Sequence, residues 1–333
     1  MEKISKSKRL LIIALLLLFF SLPNLIETRF WRQFPVFFRN PAIQTFTIIL
    51  LAVVLEALPF ILIGSLISGL IEVYFPQERV LRFLEKSNKK PLLVPCASLL
   101  GLMLPVCECG IVAVVRRLTK KGVPLSFAVT YMLTGPIINL TVIASTTMAF
   151  WNEPRVILWR IILAFIVGNI IGLILLRLEK NFQIIAPPQD HSAEYLHQAE
   201  NGWKRVLHHA EEDFFLMGKY LIIGAIAASV IQILLPRENL LALNRNMPLS
   251  IITLMILAFL LNLCSEADAF VANTFVQFPV VAKVAFLVFG PMTDLKIVIM
   301  WLAVFNKRLI LFLVVAIFIL TFFGTWGLGC LLK

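Results

Sequence analysis

Charge is scarce in this chain. Asp, Glu, Lys and Arg make up 15% of its 333 residues, hydrophobic residues make up 60%, and the mean hydropathy is +0.92. A soluble domain carries about 25% charged residues, so a water-facing globule is excluded. Histidine is scarcer still: all four (His191, His197, His208, His209) fall between residues 177 and 210, and no apolar segment holds an imidazole. No phosphate-binding glycine loop and no zinc-type Cys/His spacing occurs, which removes the common soluble-enzyme chemistries. No catalytic residue and no cofactor are expected. The five cysteines form no disulfide framework, because Cys96, Cys107 and Cys109 lie in or beside one apolar segment and Cys330 is nearly terminal. Acids are fewer than bases, leaving a net charge of +11, but the bases cluster between apolar stretches. That placement serves orientation in a bilayer rather than nucleic-acid binding.

What is present is apolar length. Stretches cover 10–26, 42–75, 92–115, 123–151, 156–176, 214–235, 249–264, 279–305 and 309–332, several of them long enough to cross about 30 Å of hydrocarbon. Continuous helices satisfy backbone polar groups there, so the expected fold is an all-α polytopic membrane protein. Lys3, Lys6, Lys8 and Arg9 precede Leu10–Phe20 as in a signal peptide, but bulky residues follow where a cleavage site needs small ones. The segment reads as a retained first helix. The expected location is a bacterial-type plasma membrane, with a cytoplasmic amino terminus.

Counting every stretch as a crossing divides the flanking Lys and Arg almost evenly. Residues 92–115, however, have basic clusters on both sides: Arg79, Arg82, Lys86, Lys89 and Lys90 before, and Arg116, Arg117, Lys120 and Lys121 after. If 92–115 enters and leaves on the cytoplasmic side, and 249–272 does the equivalent from the other face, the positive-inside rule holds well. The expected tips are Pro105–Gly110 and Asn262–Asp268, with seven crossings besides. A single ordinary helix over 92–115 is the alternative. The halves also match in order and at nearly constant offset: Pro59–Gly64 with Asp213–Gly218, Cys107 with Cys264, and Gly135–Asn139 with Gly290–Asp294. The expected organisation is an additional amino-terminal helix and loop (1–41), a first repeat (42–176), a cytoplasmic linker (177–210) helical over Ala193–Glu212, and a second repeat (211–333). With the hairpins the repeats are inverted, an arrangement that permits alternating access around broken helices.

The candidate chemistry lies at those breaks. Cys107 and Cys109 are separated by one residue beside Gly110, and Cys264 adds a third sulfur if the tips meet. Thiolates suit thiophilic ions or trivalent arsenic, whereas buried cysteines can also be mere packing. Glu108, Glu266 and Asp268 must face something polar, because a lone carboxylate in hydrocarbon is expensive. Glu266, Asp268 and Glu56, the last three residues before Pro59, are candidates for proton or ion coupling. Lys219, Lys283, Lys296 and Arg160 could pair with these acids, but snorkelling to an interface is favoured for Lys283 and Lys296. Gly135-Pro136 and Gly290-Pro291 should unwind their helices, freeing backbone groups that, with Asn139, Asp294 and Ser265 from the cysteine break, could meet substrate.

The segments Leu104–Gly110, Gly135–Asn139, Leu263–Phe270 and Phe289–Lys296 resemble the predicted-permease family that includes the bacterial organoarsenical efflux permeases. The resemblance runs from about residue 42 to the carboxyl end. It implies a plasma-membrane permease, and because characterised relatives export trivalent organoarsenicals it implies Cys107, Cys109 and Cys264 as arsenic ligands. The chain departs from the commoner family form: Glu108 stands where a small residue often separates the cysteines, and Ile111, Val112 and Ala113 follow Gly110 in place of an early proline. An acid beside the sulfurs favours a cation or a neutral arsenical over a free anion. The expected function is secondary efflux of a thiophilic solute, with proton coupling and a homo-oligomer both open. A thiol redox or metal-binding membrane protein, a carrier of sulfur-containing anions, a channel and a nonenzymatic accessory subunit are the alternatives.

Overall fold

The computed structural model describes residues 41–74, 90–103, 106–178, 202–234 and 246–331. The expected helix at 10–26, the tip residue Pro105, His191, His197 and most of the 177–210 linker lie outside them. The chain separates into compact units Met1–Ile49 and Leu50–Lys333. Of the first unit, residues 41–49 are the opening turns of a long helix, where the Thr47 hydroxyl donates to the Ile43 carbonyl (2.9 Å).

The described residues form an all-α, multi-span membrane protein. The helices are α1 Pro41–Tyr74, α2 Lys90–Met103, α3 Glu108–Lys120, α4 Leu125–Thr134, α5 Leu140–Ala149, α6 Pro154–Leu178, α7 Gly202–Leu234, α8 Met247–Leu261, α9 Asp268–Thr274, α10 Val280–Met292, α11 Leu295–Trp301 and α12 Lys307–Leu331. Ala42–Tyr74, Pro154–Leu178, Gly202–Ile233, Val280–Trp301 and Lys307–Leu331 are long and apolar enough to cross a membrane. Their outer faces carry exposed Leu55, Leu62, Ile166, Leu173, Phe215, Ile222, Leu311, Ile319 and Phe323. Such faces would be intolerable in water and fit hydrocarbon. By contrast α10 is buried along nearly its whole length and forms the hub, packed by α4, α6, α8, α9 and α12.

The interior helices approach closely because small residues face one another. Gly168 and Gly172, spaced as Gly-xxx-Gly on α6, seat Thr134 and Thr130 of α4. This is how membrane helices gain contact when lipid offers no hydrophobic penalty to escape. Gly64 of α1 meets the backbone of Gly110 on α3, where an added Cβ would lie 2.5 Å from the Gly110 carbonyl oxygen. Gly69 likewise faces the Val206 carbonyl of α7.

Where α1, α3 and α7 converge, charge is buried. Asp213 is fully buried and accepts from the Ser68 hydroxyl (2.5 Å), from Arg116 and from Arg117 (2.8 Å). Arg117 also reaches Glu72 (3.6 Å) and Glu212 (3.4 Å), and the Lys121 ammonium donates to the Glu72 carbonyl (2.7 Å). The sequence reading used Arg116 and Arg117 only as markers of sidedness; the fold shows them as the counter-charge of a buried acid. Replacing one partner strands the others in a low-dielectric setting, which costs several kcal/mol. Asp213→Leu is therefore expected to lower stability by about 3 kcal/mol or more, read as a lowered Tm of the detergent-purified protein, while Glu212→Gln, at the half-exposed rim, leaves Tm nearly unchanged.

Candidate functional site

Each cysteine-bearing segment is interrupted. α2 ends at Met103 and α3 begins at Glu108, whose carboxylate sits in the first turn, where the helix dipole favours a negative charge. α8 ends at Leu261 on Asn262, the one non-glycine residue with positive φ among the described residues (φ 51°). Asn tolerates that left-handed conformation better than most residues, and turns at 264–268 lead into α9 at Asp268.

The Gly-Pro segments also end helices. α4 stops at Thr134, and turns over Gly135–Ile138 lead to Asn139, whose side chain caps α5 by accepting from the Thr141 amide (3.1 Å). In the second segment Gly290 and Pro291 remain inside the last turn of α10, so the interruption falls one residue after Met292, at Thr293 and Asp294. Asp294 then caps α11 by accepting from the Ile297 amide (2.7 Å). Asn139 and Asp294, expected to face substrate, thus each spend one side-chain oxygen on holding a helix start.

The breaks meet through Lys296. Its ammonium lies 3.3 Å from Glu108 of the first cysteine break, 3.2 Å from the Asn262 carbonyl of the second and 3.4 Å from Asp294. Its amide donates to the Asn262 side chain (2.9 Å). Lys296 is 2% exposed, so the expected snorkelling is overturned: the side chain answers buried carboxylates instead of reaching an interface. Lys283 does not snorkel either, being 7% exposed with its ammonium over the Phe150 ring.

Arg160 makes the second junction. From α6 it donates to Asp268 (2.8 Å), to the Ser265 carbonyl (3.1 Å) and to the Thr146 hydroxyl of α5 (2.6 Å). Asp268 is accordingly an ion-paired acid. Glu266 is half-buried, next to the Ser265 hydroxyl and the Thr141 hydroxyl (3.5 Å each). Cys107 and Cys109 are buried and close enough to interact, while the half-buried Cys264 lies close to Glu56 and Glu266. Glu108 and Glu266 are close enough to interact electrostatically with Cys264 and with one another. Among the described residues no group of three or more His, Cys, Asp or Glu is disposed to hold a metal ion.

Several buried oxygens at this junction have no hydrogen-bond partner: Glu108 Oε2, Asp294 Oδ2, Asp268 Oδ1 and the Thr293 hydroxyl. Unmet acceptors in a dry interior are costly, and here they gather around one place. The arrangement offers two adjacent thiols, a third nearby, and carboxylates held by one lysine and one arginine.

A family model described as a predicted permease, ArsP_1, matches residues 42–326. The chain belongs to this predicted-permease family. The UPF0718 protein YcgR of Bacillus subtilis (strain 168) is 41% identical to the permease over 279 residues, covering 83% of this chain and 94% of that protein. A protein of Streptococcus mutans serotype c (strain ATCC 700610 / UA159) named "Putative two-component membrane permease complex subunit" is 36% identical over 285 residues, covering 84% and 90%. No solved structure matches the permease. The matching family is one of permeases rather than enzymes.

Sequence reasoning placed Cys107, Glu108, Cys109, Asn262, Cys264, Ser265, Glu266 and Asp268 at the breaks and offered Arg160 as a partner for the acids, but it favoured snorkelling for Lys296 and gave Asn262 no role beyond marking a tip. The signal for Arg160 was present: an arginine within the apolar stretch 156–176 must find a buried acid. Arg160→Leu leaves Asp268 buried without its cation, and a loss of about 3 kcal/mol is expected. Thermal unfolding in detergent measures it, and Arg160→Leu/Asp268→Leu together should recover much of the difference.

Proposed function

We propose that the permease carries out secondary efflux of a thiophilic solute, a trivalent organoarsenical or related metalloid being the type, by alternating access between two inverted repeats. The observation that carries this reading is the bridging of both cysteine breaks by Lys296. Broken helices that converge from two halves of a chain are where carriers hold substrate.

The repeat reading draws on helix order and contacts. Residues 41–178 and 202–331 each run as a long helix, an interrupted cysteine segment, an interrupted Gly-Pro segment and a 25-residue helix. Packing pairs recur under the same exchange: α2 with α4 and α8 with α10, α4 with α6 and α10 with α12, α3 with α11 and α9 with α5. A re-entrant α2–α3 pair brings both ends of 90–120 to one side of the membrane. Val94 lies by Gly172 near the end of α6, and Lys121 lies by Glu72 near the end of α1. That supports a re-entrant α2–α3 pair, and placing the linker between α6 and α7 in the cytoplasm puts the basic clusters inside. The amino terminus is then cytoplasmic and the membrane is the plasma membrane.

In this mechanism Cys107 and Cys109 bind the solute, with Cys264 as the third sulfur. Soft sulfur ligands select thiophiles over the alkali and alkaline-earth ions. Glu56 and Glu266, both half-buried, and Asp268 exchange protons or ions as the halves rock. Proton coupling and homo-oligomerisation belong to this proposal. A second reading follows from the name of the Streptococcus mutans relative: the permease works as one subunit beside another membrane component.

Proteoliposomes holding this chain alone separate the two readings. Efflux of methylarsonous acid or phenylarsine oxide is expected, faster with a proton gradient, and Cys107→Ser should lower the rate by about tenfold or more while folded protein remains in the membrane. Undiminished transport by Cys107→Ser refutes the sulfur-ligand role. No flux from well-folded protein, restored by co-purified partner, supports the two-component reading.

A further inference from the structure

We propose that Lys296 is a tethered counter-cation that sets the charge preference of the site, admitting an uncharged thiophile and excluding free metal cations. This rests on the thiol-site reading above. It starts from contacts that reading does not use.

The Lys296 ammonium carries three N–H donors and faces three acceptors, Glu108 Oε1, the Asn262 carbonyl and Asp294 Oδ2, at 3.2 to 3.4 Å. These are long for charged pairs, which settle near 2.8 Å when unconstrained. Glu108 keeps a buried oxygen with no hydrogen bond, Oε2, and Asp294 Oδ2 is met only by the 3.4 Å ion pair to Lys296. The acid pair is thus occupied by a cation that cannot leave and only partly satisfies it. A small metal ion arriving beside Cys109 would find acids suited to it, but it would have to displace an ammonium fixed by its own backbone. The Lys296 amide is pinned to the Asn262 side chain at 2.9 Å, and Gly224 of α7 packs against the Lys296 backbone. A metal ion would also bring positive charge next to the ammonium in a poorly screened interior.

A neutral trivalent arsenical meets no such barrier. Phenylarsine oxide and two thiols give the dithioarsenite and one water: two As–S bonds form, the As–O bonds break, the thiol protons leave in the water, and nothing is oxidised or reduced. The step needs two sulfurs and no carboxylate. Binding of Cd²⁺ by two thiols instead releases two protons and leaves the metal seeking further ligands, and Glu108, the acid between the two cysteines, is already held by Lys296.

The test compares phenylarsine oxide and Cd²⁺ as protectants of Cys107 and Cys109 against N-ethylmaleimide, using full-length purified protein with Cys96→Ser and Cys330→Ser and reading each site by mass spectrometry. In this background phenylarsine oxide should protect at much lower concentration than Cd²⁺. Lys296→Met should strengthen protection by Cd²⁺ about tenfold or more while leaving the arsenical within about threefold. Lys296→Arg, which keeps the charge, should retain the original discrimination and shows that the effect is not one of misfolding. Unchanged Cd²⁺ protection in folded Lys296→Met, or an equal change for both probes, overturns the role of Lys296. Protection by neither probe in the parent overturns the thiol site and this proposal with it. Loss of flux with intact protection refutes only the transport reading.

Discussion

A helix interrupted inside hydrocarbon leaves amides and carbonyls that water is not there to bond, and this constraint organises the whole interior. The described residues have such interruptions at 106–107, 135–139, 262–267 and 293–294, and at the last three the loose groups are met by a specific side chain. Asn139 and Asp294 cap the helices that resume. Lys296 takes the Asn262 carbonyl and Arg160 takes the Ser265 carbonyl. The same two cations neutralise Glu108 and Asp268, so backbone satisfaction and charge balance are achieved by one set of contacts. Acids that looked isolated in the sequence are permitted because the breaks need cations beside them.

This explains the division between what the sequence disclosed and what it hid. Apolar runs and glycine-proline pairs are local signals, so the long apolar helices and the end of α4 at Thr134 were legible. The interruption at Thr293 rather than at Gly290-Pro291 was not, because a proline in a helix's last turn costs little when few amides remain to be bonded. The sulfur and carboxylate residues were legible from their rarity in apolar surroundings. Which cation meets which acid was not, because Glu108 and Lys296 are far apart in the chain and either could have faced an interface. Snorkelling is a sound expectation for a lysine near a helix end; it fails at Lys296 because a buried acid pair lies closer than the interface. Asp213 escaped notice for the converse reason: an acid beside a polar linker reads as solvated, and only the packing of α1, α3 and α7 removes it from water.

The glycines have a related role. Gly64 against Gly110, and Gly101 against the backbone at Gly135 and Ile138, bring helix interruptions into backbone contact where any side chain would intrude. Close approach of bare backbone keeps short side chains such as Cys107 and Cys109 within reach of the same centre. The alternation of bulky lipid-facing residues with glycine and small hydroxyl residues inside is therefore a packing requirement of the site as much as of the fold.

The Asp213 cluster has a consequence for how the chain is built. Asp213 belongs to α7, the first helix after the residues that join the halves, while its partners Arg116, Arg117 and Ser68 all precede that joint. Glu108 with Lys296 and Arg160 with Asp268 cross the same divide. Recognition between the amino-terminal and carboxy-terminal portions is thus encoded in buried, directional ion pairs rather than in the peptide that links them. A coding region severed between Leu178 and Gly202 would still specify two pieces with matched charges at three places.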